Sequence, residues 1–194
     1  MRTRARRVVL VVVVVALAAS CSSSTSRATS ASTSAVSSLA STTTGSTTTT
    51  RASSSRHPFG GYAESALTVT KADGSFLSWC VLLALTQAEH ERGLMDVTDI
   101  GGYDGMLFRF TEPQRLAFYM FQTKIPLSIA FFDAAGSVVS TADMTPCTET
   151  NGNNCTLYHA DAPYTDALEV LQGDLARLGI ASGVTVKAGG ACPS

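Results

Sequence analysis

The chain has 194 residues, enough for one domain and an appendage. Its formal net charge of -1 conceals two unlike parts: residues 1–57 carry seven basic and no acidic residues, while residues 58–194 carry seven basic against fifteen acidic, a net of -8. Length excludes a multi-domain enzyme. The acidic balance of the aromatic-bearing part excludes a nucleic-acid binder as the leading reading, because it would repel phosphates.

The first twenty residues read as a signal peptide. Arg2, Arg4, Arg6 and Arg7 make a positive start, and an unbroken apolar run of twelve residues follows, from Val8 to Ala19. That length suits a leader, whose apolar region runs to about 7–15 residues, and falls short of the roughly 17–25 needed to span a bilayer. The run ends in Leu17-Ala18-Ala19-Ser20-Cys21. Small residues before a cysteine resemble the lipobox of bacterial lipoproteins, although Ala18 stands where leucine is usual. The resemblance implies cleavage before Cys21, whose thiol would then carry a diacylglyceryl group with palmitate-type acyl chains. Each buried methylene would contribute about 0.8 kcal/mol, so two or more chains anchor where one would not. The expected location is therefore outside the cytoplasm, lipid-anchored to the cell membrane, with membrane lipid as the first partner.

Residues 21–57 read as a tether. Twenty-four of the 36 residues after Cys21 are Ser or Thr, and only Val36 and Leu39 are large and apolar. Such a segment cannot bury enough surface to offset its ordering entropy. As a flexible coil it would span on the order of 30–35 Å.

Residues 58–194 read as a single globular domain. Leu67-Thr68-Val69-Thr70 alternates, Asp73-Gly74 marks a turn, and Phe76–Leu85 forms an apolar strand around Trp79. Thr86-Gln87-Ala88-Glu89 is a capping box opening a short helix that should stop at Gly93. Gly101, Gly102 and Gly105 form a loop around Tyr103-Asp104. Strands are expected at Met106–Phe110, Leu116–Phe121, Leu127–Asp133 and Ser137–Thr141, the last two joined by a short turn at Asp133–Gly136. Asp166–Val170 reads as a further strand. Leu171, Leu175 and Leu178 lie on one face of a second short helix that ends at Gly179, and Val184–Val186 is a last strand. Together these give an α+β, mostly β domain: a compact, barrel-like curved antiparallel or mixed sheet of about seven or eight short strands with two short helices.

Setting Cys21 aside leaves Cys80, Cys147, Cys155 and Cys192, an even number that favours disulfides outside the cytoplasm. Three pairings are possible. The local one closes Cys147 on Cys155 across a Gly- and Asn-rich turn, and Cys80 would then pair with Cys192. A metal site is not expected, since the domain has no Cys-x-x-Cys pair and only His90 and His159 besides. No cofactor motif is present. The Cys147–Cys155 loop holds Glu149 and no Lys or Arg, which argues against a reactive thiol.

From about Leu77 to Val186, nearly the whole domain, a family resemblance accumulates. Glu91-Arg92-Gly93-Leu94-Met95, Gly105-Met106-Leu107-Phe108-Arg109-Phe110 and the run from Phe118 to Asp133 are its main blocks. Pro146-Cys147 with Cys155, then Ala167-Leu168-Glu169-Val170 with Leu178-Gly179-Ile180, continue it in order. In these the chain resembles the bacterial and archaeal family called domain of unknown function 192. The resemblance implies a compact, strand-rich domain of the kind found secreted or lipid-anchored, with no established activity. Where the family usually reads Phe-Trp-Met-Lys-Asn-Thr this chain has Phe118-Tyr119-Met120-Phe121-Gln122-Thr123, and Ser128 stands where aspartate is usual, so both a lysine and an aspartate are absent.

The residues leave three functional readings. The first is a non-catalytic envelope module binding a small molecule, glycan or protein through a groove of Tyr103, Phe108, Tyr119, Gln122 and Thr123. The second is a hydrolase or transferase using Glu169 as general base, with Arg92 or Arg109 stabilising negative charge. The third is a disulfide-stapled structural domain. No Gly-x-Ser-x-Gly, Ser-x-x-Lys or phosphate loop supports the second, so the balance leans away from an enzyme. Alternation places the Glu169 side chain opposite Leu168 and Val170, where it would either face a cleft and pair with Arg92 or Arg109 or, as is more usual, lie on a solvated strand face.

Overall fold

A computed structural model describes residues 55–57 and 59–194. The chain divides into two units, Met1–Thr48 and Thr49–Ser194, and the described residues all fall in the second. The leader, Cys21 and most of the tether lie outside the described residues. Its last three residues, however, dock on the domain: the His57 amide bonds Gly101 at 2.9 Å and the Arg56 guanidinium bonds the Pro193 carbonyl at 3.0 Å. Among the described residues, no helix is long and apolar enough to cross a membrane.

Seven strands form one mixed sheet. In chain order these are β1 (Ala63–Thr70), β2 (Phe76–Ala84), helix α1 (Gln87–Arg92), β3 (Gly105–Gln114), β4 (Leu127–Phe132), β5 (Val138–Met144), β6 (Tyr164–Leu171), helix α2 (Asp174–Arg177) and β7 (Thr185–Ala188). The spatial order is β5-β4-β6-β3-β2-β1-β7. β1 and β2 form the expected hairpin, and β2 and β3 form a parallel pair with α1 in the crossover. All other pairings are antiparallel. The edges β5 and β7 approach each other, where the Val186 amide bonds the Gly136 carbonyl at 2.8 Å and Ser137 bridges Thr185. Gly136 sits at φ +82°, and a Cβ there would overlap the Val186 carbonyl oxygen. One bridge falls short of the continuous ladder that closure needs, so the sheet is curled but not a barrel.

Both faces of the sheet are covered. Within the curl, Leu67, Val69, Val81, Leu107, Leu168 and Val170 pack with Leu178, Ile180 and Val184 from α2 and its following loop. On the other face, Leu82, Met106, Phe108, Ile129 and Phe131 pack under Tyr62, Leu94, Ile100, Tyr103 and Met120, which come from connecting segments. Cys80 pairs with Cys192 and Cys147 with Cys155, with Cα separations of 5.0 and 5.7 Å. The first pair fastens the C-terminal tail to β2, and the second closes a loop containing a turn of 3-10 helix at Gly152–Asn154.

Two expected elements differ. Residues 116–121 form no strand. They make one bridge, Phe118 with Tyr158, and otherwise run as an apolar loop across the covered face. Apolar runs of that length serve as strand or as cover, and periodicity does not separate the two. Leu171 ends β6, and Gly173 at φ +88° breaks the chain before α2, which is a single turn. The loop past Phe118 also holds Gln122 at φ +54°, a left-handed conformation that asparagine and glycine tolerate better than glutamine. Gln122→Asn is therefore expected to stabilise the fold by about 0.5–1 kcal/mol, read as a higher urea midpoint at unchanged slope. A lowered midpoint would show that the glutamine side chain has a role the backbone angle does not reveal.

Candidate functional site

The site is assembled around α1. Thr86 Oγ1 accepts the Glu89 amide at 3.3 Å, while the Glu89 carboxylate accepts the Leu85 and Thr86 amides at 2.7 and 2.8 Å. Those bonds hold the Glu89 carboxyl below its usual range. The reciprocal cap fixes where the helix starts. Gly93 ends it at φ +46°, and its missing side chain admits the Phe108 ring, since a Cβ would stand 3.2 Å from that ring. The Tyr62 hydroxyl then donates to the Gly93 carbonyl at 2.9 Å. The helix is thereby held over β3.

Between α1, the 116–123 loop and the sheet lies a cleft of about 180 Å³. Phe108, Phe110, Phe118 and Tyr164 form its aromatic wall. Phe108 and Phe118 meet edge to face at 5.0 Å, as do Phe110 and Tyr164 at 5.7 Å. The His90 ring lies 4.4 Å from Phe110, and its Nε2 is 3.0 Å from the Ala84 carbonyl. The Tyr164 hydroxyl donates to the Leu116 carbonyl at 2.9 Å and so ties the loop down. Burial pushes its pKa up to about 12, so it remains a donor. Leu116 and Tyr119 stand exposed at the cleft's mouth, and Thr123 lines its side with its hydroxyl directed at the Phe121 carbonyl, 3.4 Å away.

Glu169 also lines this cleft. It sits mid-strand in β6, opposite Met106 of β3 and Ile129 of β4, and is 5% exposed. No hydrogen bond or ion pair joins its carboxyl to a described residue, and its oxygens keep a small accessible area that opens into the cleft. Loss of hydration alone raises its pKa from 4.5 to about 8, so the group is mostly protonated at neutral pH. The expected solvated strand face is thus corrected: connecting segments cover that face, so the outward side chain is buried as well. Charged neighbours are confined to α1, whose Glu91 and Arg92 line the cleft from their exposed positions.

The other expected site residues separate. Phe108, Tyr119 and Thr123 meet at the cleft. Tyr103 does not: it is buried elsewhere and donates to Glu64 at 2.8 Å, with burial first and that bond second raising its pKa to about 12. Gln122 is exposed outside the cleft, and its carbonyl accepts the Asp96 amide. Arg92 lines the same cleft as Glu169. Arg109 cannot serve Glu169: it pairs with Asp166 at 2.8 Å, three residues from Glu169 along β6 and therefore on the opposite face of the sheet. Of the methionines, Met106 and Met120 are core and Met95 lines the cleft. His90, Phe110, Phe118 and Tyr164 were not foreseen at the site. The signal available for Phe118 was its place in a family block, which the strand reading obscured.

Neither Phe121 nor Ser128, where the family's lysine and aspartate are missing, lines the cleft, whereas Tyr119, in place of the family's tryptophan, does. Ser128 is buried, accepts the Gly173 amide at 2.9 Å, and donates to Asp143, its cross-strand partner in β5. Phe121 packs against Gly152 in the disulfide loop. Among the described residues, Glu64, Cys80 and Cys192 converge as metal ligands would, but the two sulfurs are bonded to each other and offer no thiolate. A second depression, of about 280 Å³, lies beside the Cys147–Cys155 loop and contains no buried unpaired polar side chain.

Comparison with known proteins agrees with the resemblance. The family model DUF192, described as "Uncharacterized ACR", matches residues 68–188. No curated protein matches. Among solved structures, a Novosphingobium aromaticivorans protein of unknown function is 34% identical, with a TM-score of 0.58, over 68% of this chain and 90% of its own. A Sinorhizobium meliloti protein described as a "putative transcription regulator" is 26% identical, also at 0.58, over 66% of this chain and 95% of its own.

Proposed function

The chain belongs to the DUF192 family, and from that membership and the cleft we propose that it is a non-catalytic binding module, lipid-anchored through Cys21 outside the cytoplasm, whose cleft seats a small molecule, a glycan or a side chain of a protein partner. The observation that carries this is Glu169: a nearly fully buried, unpartnered carboxyl facing an aromatic-walled cleft. A carboxyl stripped of most of its hydration and given no protein partner costs stability, and occupation by a ligand offsets that cost. The arginine-rich leader and its terminal cysteine support the location, as do two disulfides, which persist in oxidising compartments. The regulator description of the Sinorhizobium protein is not carried over, because the -8 charge of residues 58–194 opposes nucleic-acid contact.

The test is binding by the full chain, purified in detergent, against cell-wall fragments, amino acids, amines and envelope protein extracts. At least one class is expected to raise the melting temperature and shift the NMR signals of Phe108, Tyr119 and Thr123. Silence across the panel would contradict the reading. The enzyme reading, now limited to Glu169 with Arg92, retains one favourable observation: a carboxyl titrating near 8 can act as a general acid. Turnover of ester or glycoside probes abolished by Glu169→Gln would establish it in place of the binding module.

A further inference from the structure

We propose that the cleft seats an organic ammonium group, with its positive charge against Glu169 and its alkyl or aryl stem along the aromatic wall of Phe108, Phe110, Phe118 and Tyr164. The inference rests on the binding-module reading and names its ligand class.

The argument starts from what the cleft lacks. The Glu169 carboxyl has no hydrogen-bond or ion-pair partner among the described residues and keeps only a small accessible area toward the cleft, so an occupant that displaces water there has to satisfy it. Two chemistries satisfy a buried carboxyl: a neutral donor to its protonated form, or a cation to its ionised form. The four aromatic rings of the wall line the cleft, and a desolvated cation gains from an aromatic lining what a neutral donor does not, which favours the cation. Nearby hydroxyls do not compete for the carboxyl. Tyr62 donates to Gly93, Tyr164 to Leu116, and Thr123 points to Phe121. The groups facing the site from α1 are His90, engaged with the Ala84 carbonyl and the Phe110 ring, and the solvent-exposed pair Glu91 and Arg92, whose charges oppose each other. None of these places a buried positive charge beside Glu169. A volume of about 180 Å³ admits one ring or a short alkyl chain, so a free amine or a lysine side chain is the right size.

Seating a cation ionises the carboxyl. Because Glu169 titrates near 8 in the empty cleft, binding at pH 7 should release about one proton per ligand. Calorimetry of the full chain in detergent would use four probes: benzylamine, benzyl alcohol, benzoate and Nα-acetyl-lysine amide, each in phosphate and in HEPES, neither of which is a primary ammonium. Benzylamine is expected to bind at least tenfold more tightly than benzyl alcohol, with heats that differ between buffers by the released proton. Glu169→Gln should abolish both the preference and the proton release. Tighter binding of the lysine amide than of benzylamine would identify a peptide-borne ammonium, and the reverse a free amine; either supports the proposal. Equal or tighter binding of benzyl alcohol or benzoate would overturn it while leaving a ligand-binding cleft in place. Binding by none of the four would overturn it as well, and the wider panel would then decide the binding-module reading separately. The wild-type proton release needs no variant, so the test survives a poorly folding substitution.

Discussion

Replacing Cys80 and Cys192 together by alanine is expected to cost about 4–5 kcal/mol, the larger of the two disulfide effects. The bond joins residues 112 apart, and cross-linking restricts the unfolded chain more as the closed loop lengthens. Cys147 and Cys155 are only 8 apart, so their removal should cost about 2–3 kcal/mol on the same chain-entropy basis. Packing increases the difference. Cys80 is buried in β2 among Leu82, Ala84 and Met106, and truncation there leaves unfilled space. The tail that Cys192 holds also pairs with β1, through Ala66 to Gly190 at 3.2 Å and Gly189 to Ala66 at 3.0 Å. Urea unfolding of the full chain and of both double variants, with and without reductant, measures this. The expected order is wild type, then the Cys147/Cys155 variant, then the Cys80/Cys192 variant. Equal loss in the two variants would mean that the long-range bond does not constrain the chain as its span implies. So large a dependence also fits residence in an oxidising compartment.

Stability is expected to fall as pH rises from about 4.5 to 8, and Glu169→Gln should remove that fall. In the unfolded chain the carboxyl loses its proton near 4.5, whereas in the fold it keeps it to about 8. Below 4.5 both states are protonated and Glu169 imposes no pH dependence. Between the two values unfolding releases a proton, so stability drops by about 1.4 kcal/mol per pH unit. Above about 8 both states are ionised, and the full cost, on the order of 5 kcal/mol, is in place. The glutamine variant keeps the shape and does not titrate. Its advantage over wild type should therefore grow through that window and level off above it. A difference that stays constant with pH would show that Glu169 is hydrated or paired in solution.

Local chemistry was legible in the sequence. The Thr86–Glu89 capping box, the Gly93 stop and the Asp133 turn, whose carboxylate accepts the Ala135 and Ser137 amides at 2.9 Å, each depend on a few adjacent residues. The hairpin of β1 and β2 is of the same kind. Leu116–Phe121 was misread because its apolar side chains cover a sheet rather than join one. Leu171 was misread because helical spacing continued across Gly173, which the backbone does not follow. Glu169 could be named but not placed. Its neighbours Leu168 and Val170 point into the curl, and alternation then assigns Glu169 to solvent. That inference holds when one face of a sheet is bare. Here Tyr62, Leu94 and Met120 arrive from distant positions to cover the second face, and such long-range packing leaves no mark on the local pattern. The same alternation, applied to β3, separates Arg109 from Glu169.

The carboxyl carbon of Glu169, followed by ¹³C NMR in the full chain at pH 7, tests the central claim most directly. The account predicts the resonance of a protonated acid in the free protein and that of a carboxylate once benzylamine saturates the cleft. A resonance already at the carboxylate position in the free protein, unmoved by amine, would contradict it.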